Sequence, residues 1–462
     1  MAMTVNNVNT LSLLNILNRT TQAQSQVQER MATGSKINKG SDDPAGLLAL
    51  TKVNSELTSV NAGISNNQKT DAILGVADGA LTEVASLVDQ VQQLANQSSN
   101  GSALSADEIA ANQSQIDDAL TSIDRIIRTT QFNGRKLLDG SLGIAASVSN
   151  AGALTDVKVF NRPTSLSTAS LVVTVTTAAS QAGVAAFMAT SATLDSTFTV
   201  QGKDGAAVIS IAAGENVSAV AAKINLAAGQ TGVSASMSGV SLQLYSQYFG
   251  ASAFVRTRFI QGDSTNVTNL YDTGVDASIT VNGQATAVDG NFVSYSGGGV
   301  SVSFDIGTLG AGSSTAITIA EGGATFNLGT DSTTRNTIGI DGMYSNQLGN
   351  ATTGYLASLG SGGANSLINN PGNAADVARL AAKQVAQLKG RVGGFQKFQV
   401  RTSLNSLNDT KVGLETVRGV INDVDYAVES ANLNKQNILL QVGIQLLGLA
   451  NQQSSMVLSL LK

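Results

Sequence analysis

Both ends of the chain lack charge over long stretches, and this limits what the chain can fold into. Residues 1–18 carry no ionisable side chain, and neither do residues 436–461. Each end mixes aliphatics with amides: Leu11, Leu13, Leu14, Ile16 and Leu17 beside Asn6, Asn7, Asn9 and Asn15; Ile438, Val442, Leu446 and Leu449 beside Gln441, Gln445 and Gln452. A solvated terminus carries Lys and Glu. A membrane helix excludes amides, and the C-terminal stretch holds seven Asn or Gln, so membrane insertion is not expected. Long amphipathic ends of this kind are expected to bury themselves against copies of other chains.

Charged residues make up 13% of the 462-residue chain, roughly half the usual share. With a net charge of −5, no nucleic-acid partner is expected. The chain has neither Cys nor His, which removes thiolate nucleophiles, disulfides, histidine bases and most zinc or iron sites. No cofactor or metal is expected. No basic segment precedes Leu11–Leu17, so export without a cleaved leader is expected if the protein leaves the cell.

The pattern reads as helix, then a middle rich in Gly, Ser, Thr and Val, then helix again. Asp43–Pro44 is a helix start, with Asp as cap and Pro at the first helical position. That helix is expected to reach about Ser99, roughly 80 Å at 1.5 Å rise. Ser105 and Glu108 form a capping box for a second helix to about Arg128. Asn133–Gly134 and Asp139–Gly140 are turn signals around a short strand, Arg135–Leu138. Another helix is expected from Asp376 to about Asn408, and a last one from about Leu414 to Leu460.

On that last helix, Val424, Val428, Ala431, Ile438, Val442, Leu449 and Met456 make one apolar stripe. Leu439, Leu446, Ala450, Val457 and Leu461 make a second stripe beside it. Two stripes suit a helix with several neighbours. Residues 71–124 hold nine acidic and no basic side chains, whereas 376–411 hold seven basic and two acidic ones. Electrostatic pairing of these two regions is therefore expected.

In the middle, Val300, Val302, Phe304 and Ile306 alternate with polar residues as a half-buried strand, and Ile279–Val281 enters a hairpin at Asn282–Gly283. Around 197–256 the pattern is a ββαββ unit, with Asn216 capping its helix. Asp195, Asp204, Asp263, Asp272, Asp276, Asp289 and Asp305 are scattered and read as turn residues rather than a catalytic set. The fold class is thus α+β and multi-domain: a long coiled-coil or bundle core built from both termini, with an inserted β-rich module. The expected division is 1–43 with 415–462, then 44–144 with 372–414, then 145–371.

The chain resembles the bacterial flagellin family. The resemblance rests on Leu11-Ser12-Leu13-Leu14-Asn15; on Gly34-Ser35-Lys36-Ile37-Asn38 followed by Ser41-Asp42-Asp43-Pro44-Ala45-Gly46; on Thr130-Gln131-Phe132-Asn133-Gly134; and on Asp423-Val424-Asp425-Tyr426-Ala427, Gln436-Asn437-Ile438-Leu439, Ala450-Asn451-Gln452 and Val457–Leu461. Lys36 and Pro44 depart from the family's usual Arg and Ala. The stretch 197–256 is similar to a repeat shared by flagellin and hook proteins.

The resemblance implies a structural, non-enzymatic subunit of an extracellular filament. It implies a homopolymer, hook-associated junction and cap proteins as neighbours, and an export chaperone on the C-terminal helix. Leu11, Leu14, Leu17 and the stripe residues from Val424 to Leu460 would be the self-assembly seams. Gln445 and Gln452 would either face a central channel or satisfy other amides between helices. A hook–filament junction protein and an adhesin acting through the middle module are the alternatives. In some family members an immune receptor reads the segment matching Leu87–Gln97; Gln90 replaces the family's key Arg, Gln115 replaces an acidic partner and Leu94 is kept, which implies weak recognition.

Overall fold

The computed structural model describes residues 8–98, 104–163, 168–187, 194–238, 241–262, 269–351 and 353–460. The side chains of residues 8, 9, 186, 187, 238 and 453–460 lie outside the described set. The helices are α1 (Val8–Thr33), α2 (Pro44–Ser98), α3 (Ala106–Thr129), α4 (Val217–Leu226), α5 (Ala228–Thr231), α6 (Pro371–Phe395), α7 (Arg401–Asn422) and α8 (Tyr426–Leu460). By packing, residues 1–65 with 404–462 form one compact unit and residues 66–403 form a second. Among the described residues, no helix is long and apolar enough to cross a membrane.

In the second unit, α2, α3 and α6 form a helical core. Leu74, Leu81, Val84, Val88 and Val91 of α2 repeat at 3–4 spacing and meet Ile116, Ile123 and Ile127 of α3. Val377, Ala381, Val385, Leu388 and Val392 of α6 complete the layer. The Ser105–Glu108 capping box opens α3 as the sequence predicts: Ser105 N donates to Glu108 Oε2 at 2.7 Å, and Glu108 N donates to Ser105 Oγ at 3.3 Å.

The expected charge pairing is not what joins these helices. Among the described residues, one ion pair links 71–124 to 376–411, Arg401 to Asp71 at 3.7 Å. The apolar stripes face one another, so the charges lie on other faces. Acidic groups of α3 serve the loop that crosses it: Ser345 N donates to Asp124 at 2.9 Å and Ser361 N to Asp117 at 2.9 Å.

Three helix boundaries differ from the sequence reading. First, α6 begins at Pro371 rather than Asp376, because Asn370 accepts from Asn373 N and Pro371 is preset for a first turn. Second, a wide π-type turn at Gln396–Val400 separates α6 from α7. Third, no break falls between Asn408 and Leu414: α7 runs straight through that stretch, and the helix expected from Leu414 to Leu460 is broken instead at 423–425. The predicted strand Arg135–Leu138 shortens to Arg135–Lys136, paired with Gln131–Phe132 across a turn in which Asn133 and Gly134 have φ of 50° and 78°.

The middle holds a nine-stranded antiparallel sheet. Its order runs Gln284–Ala285, Ser278–Val281, Ala169–Thr177, Ser314–Gly322, Ile144–Val148, Leu154–Asn161, Val300–Ile306, Phe292–Gly297, Ala287–Asp289. Val302, Phe304 and Ile306 enter its core from one face of their strand, as the alternation predicts. The Asn282–Gly283 turn is formed, with φ of 51° and 78°.

The ββαββ order is also present: Ser196–Gln201, Ala206–Ile211, α4, Val233–Ser238 and Ser241–Phe249. Its two hairpins enter different sheets, however. The first joins Phe254–Gly262 and Leu270–Thr273; the second joins Gln181–Phe187. Asp272 and Asp305 are not the turn residues expected: Asp272 lies within the strand Leu270–Thr273, and Asp305 lies within Val300–Ile306 on the face opposite the core, while Asp263 lies outside the described residues.

Candidate functional site: the junction of the terminal helices

Within the first unit, α1 lies along α8. Helix α1 stops where Gly34 takes φ 70°, its N–H closing on Arg30 O at 2.9 Å. The chain then turns against the break between α7 and α8. Lys36 N donates to Asn422 O at 2.6 Å, and Val424 N donates to Gly34 O at 3.1 Å. Ser35 and Asp423 thus form an antiparallel bridge, and Asn422 Nδ2 reaches Ser35 Oγ at 3.0 Å. This backbone pairing takes up amide and carbonyl groups that a continuous helix would need, which is why the last helix divides.

Each new helix has its own cap. Asp425 Oδ1 accepts from Ala427 N at 2.9 Å and Val428 N at 3.2 Å, opening α8. Asp43 Oδ1 accepts from Gly46 N at 2.8 Å, opening α2. Asp42 Oδ2 accepts from Asn38 N at 3.0 Å and Lys39 N at 2.9 Å, and those bonds hold its carboxyl below the usual range. Gly46 is needed for close approach, because a Cβ there would fall 2.7 Å from Ile37 Cδ1, and Ile37 is buried.

Further along the seam, Arg30 pairs with the buried Glu429 at 3.4 Å, and Gln24 Nε2 donates to Asn437 Oδ1 at 2.7 Å. Gly443 is buried against Leu17; a Cβ there would lie 3.4 Å from Leu17 Cγ. The Gly34–Asn38, Ser41–Gly46 and Asp423–Ala427 motifs, the last nearly 400 residues from the others, are therefore one structural joint.

The stripe residues fall elsewhere. The side of α8 turned to α1 carries half-buried or buried Leu433, Asn437, Leu440, Gly443 and Leu447. Val428, Ile438, Val442, Leu446 and Leu449 are 44–60% exposed. Ala431 is exposed and Val424 half-buried. On α1, Leu11 and Leu14 are exposed at 55% and 45%, whereas Leu17 is half-buried. The side chains of Met456 and Leu460 and all of Leu461 lie outside the described residues. Gln445 and Gln452 are exposed. Leu87 and Leu94 are half-buried against the α2–α3–α6 core, with Gln90 and Gln115 exposed on α2 and α3.

Sequence reasoning missed Arg30, Glu429, Gln24, Asn437 and Gly443. A local signal existed for one missed feature: Asp425 two and three residues ahead of Ala427 and Val428 is an Asx cap pattern that marks a helix start. The Arg30–Glu429 pair has no local signal.

Comparison with known proteins agrees with the motif pattern. Residues 5–142 match the bacterial flagellin N-terminal helical region, 376–461 match the bacterial flagellin C-terminal helical region, and 197–247 match the flagellin hook IN motif. The B-type flagellin of Pseudomonas aeruginosa is 29% identical over the whole of both chains. The flagellin of Salmonella rubislaw is 27% identical over 99% of each.

The chain belongs to the bacterial flagellin family.

It is accordingly a subunit of the bacterial flagellar filament, the structure that serves motility, and the family is a structural one. Flagellin matches extend over the full length, which favours the filament subunit over a hook–filament junction protein. Among solved structures, FliC from Burkholderia pseudomallei aligns over 72% of this chain and 99% of its own, at 14% identity and a TM-score of 0.24. The flagellar junction protein FlgL from Legionella pneumophila aligns over 82% and 99%, at 12% identity and 0.27. Superpositions this loose carry no further argument.

Proposed function

We propose that this flagellin polymerises through the apolar faces that α1 and α8 leave uncovered, with the 34–46/422–425 joint setting where those faces begin. The observation that carries this reading is the exposure of Leu11, Leu14, Ile16, Val428, Ile438, Leu439, Val442, Ile444, Leu446 and Leu449, each 44–60% accessible in the single chain. An isolated chain that displays so many large aliphatics on two paired helices has a strong drive to bury them. Leu17, turned to α8, belongs instead to the contact within one subunit. The terminal segments 1–43 and 415–462 would line the inside of the filament, 44–144 with 372–414 would form the next layer, and 145–371 would face outward.

The same greasy faces need protection before assembly, and an export chaperone seated on α8 fits that need. Passage out of the cell to the growing filament, in contact with cap and hook-associated junction proteins, completes the reading. Exposed Gln445 and Gln452 suit a wet, uncharged channel wall; unchanged export by Gln445→Lys and Gln452→Lys variants would discard that role. Receptor recognition at Leu87, Gln90, Leu94 and Gln115 is expected to be weak, since neither exposed amide supplies a charge.

Electron microscopy tests the central claim. A chain lacking residues 1–18 and 443–462 should stay dispersed under conditions in which the full chain forms filaments. Normal filaments from the shortened chain would overturn the proposal.

A further inference from the structure

The ββαββ strands and those they pair with form a body with its own core, attached to the rest of its unit in two different ways. Phe198, Val200, Val220, Ile224, Leu242, Leu244 and Val255 fill that core. Among the described residues, none of its core side chains comes from α6, and the helical core of α2, α3 and α6 takes none from this body. The body spans residues 181–273, so the chain enters and leaves it through two short neighbouring crossings, 178–180 and 274–277.

Those crossings are tightly tied. Ser180 N donates to Val275 O at 2.9 Å and Val275 N returns to Ser180 O at 3.2 Å. Asp276 Oδ1 accepts from Ala251 N and Gly290 N, both at 2.9 Å. At Gly274 a Cβ would fall 2.5 Å from two carbonyl oxygens, those of Gly250 and Ser180. Backbone lies on backbone here, with Gly250 N also donating to Ser180 O at 3.1 Å and Gly274 N to Ala253 O at 2.9 Å, so this point stays fixed while the rest of the body turns about it.

The other attachment is polar. Arg379 of α6 donates through Nη1 to Asp204 Oδ1 at 2.6 Å and through Nη2 to the Tyr248 hydroxyl and to Asp376 Oδ1, the last at 2.8 Å. Asp204 and Tyr248 belong to the module, and Asp376 to the helix. Two cations lie over the Tyr248 ring, Arg379 at 5.4 Å and Lys203 at 5.3 Å from its centre. Beside this cluster the module and α6 do not close up: a cleft of about 640 Å³ separates them, lined by Tyr248, Phe292, Asp305, Lys383 and Gln384 among others. Helix α5 meets α6 backbone to backbone, with Gly229 opposite Gly372.

We infer that residues 181–273 are a swinging module, pivoting at 178–180 and 274–277 and held shut on α6 by Arg379. Its bonds across the opening are charge-assisted, directional and partly open to solvent. Breaking them would also part the Gly229–Gly372 contact and widen a cleft whose lining is mostly charged and amide side chains, with Tyr248, Phe292 and Leu380 among them. The helical layers that build the filament would be unaffected.

The test uses the full chain, which has no native Cys. Spin labels at the exposed positions Ser210→Cys in the module and Ala386→Cys on α6 report one distance by pulsed electron resonance. The unaltered clasp should give one narrow distribution. Arg379→Gln should add a longer, broader component, its population rising about tenfold or more, as one lost charge-assisted hydrogen bond allows. Asp204→Asn cuts one strand of the same clasp at the module's surface and should move the distribution the same way. Helical circular dichroism and the melting of the α2–α3–α6 core should not change, which separates opening from unfolding. A distribution that stays narrow in both variants, or that is already broad with Arg379 in place, would overturn the inference.

Discussion

The phase of α8 can be tested by substituting Ile438 and Leu449 together with Asn. Both project away from α1 and are 60% and 58% exposed in the single chain. Full burial of such a side chain is worth about 1.5–3 kcal/mol, so hiding the exposed share contributes about 1–2 kcal/mol each. Losing both should weaken subunit addition by about 2–3.5 kcal/mol, a rise in critical concentration of about 30- to 300-fold. The assay is seeded polymerisation followed by sedimentation, reading the protein left in solution at the plateau. The monomer's helicity and melting temperature should hardly change, because neither side chain supports the α1–α8 seam. Leu440→Asn is the complementary variant: Leu440 is half-buried on the seam side, so its loss should lower the monomer's helicity as well. An unchanged plateau for the Ile438/Leu449 variant would refute the assignment of these faces to assembly. So would a monomer as badly destabilised as by Leu440→Asn.

Three further outcomes are expected. Burial, with Asp156 adding repulsion, pushes the Asp305 carboxyl up to about 6, against the pull of Lys383 and Lys158. A native-state value above the unfolded one means stability falls as pH rises between about 4 and 6; Asp305→Asn should therefore raise the melting temperature at pH 8, by up to about 3 kcal/mol equivalent, and do little near pH 4, as differential scanning calorimetry can show. Leu81→Ala, at a fully buried position of α2, should cost about 2–5 kcal/mol in urea unfolding, and a cost below about 1 would contradict the packing of the helical core. Asp425→Ala removes the cap of α8 and should cost about 1 kcal/mol, with faster amide exchange at Ala427 and Val428; unchanged exchange there would count against the cap.

Much of the helical architecture was legible because its signals are local. Asp43–Pro44, Ser105–Glu108 and Asn133–Gly134 each act within four residues, and each produced the element it predicts. Alternation at Val300–Ile306 placed a strand for the same reason. The division between α7 and α8 was only half legible: Asp425 carries a cap pattern that opens α8, but nothing local ends α7 ahead of it. What interrupts the helix is a backbone bridge from Asp423 to Ser35, 388 positions away. The electrostatic pairing failed for a related reason: net charge along a segment says which side chains are present, not which face of the helix they occupy.

Composition and periodicity were enough to read the ends as helical, uncharged and striped with aliphatics, and the middle as β-rich. Both kinds of signal depend on neighbours a few residues away. The packed chain was needed to choose which face of α8 meets α1 and which is left exposed, to bring three separated motifs into one joint, and to carry Arg379 across to Asp204 and Tyr248. Neither apolar stripe read on α8 faces α1: the seam falls on Leu433, Leu440 and Leu447, a line the spacing did not single out, and only the packed partner helix distinguishes it.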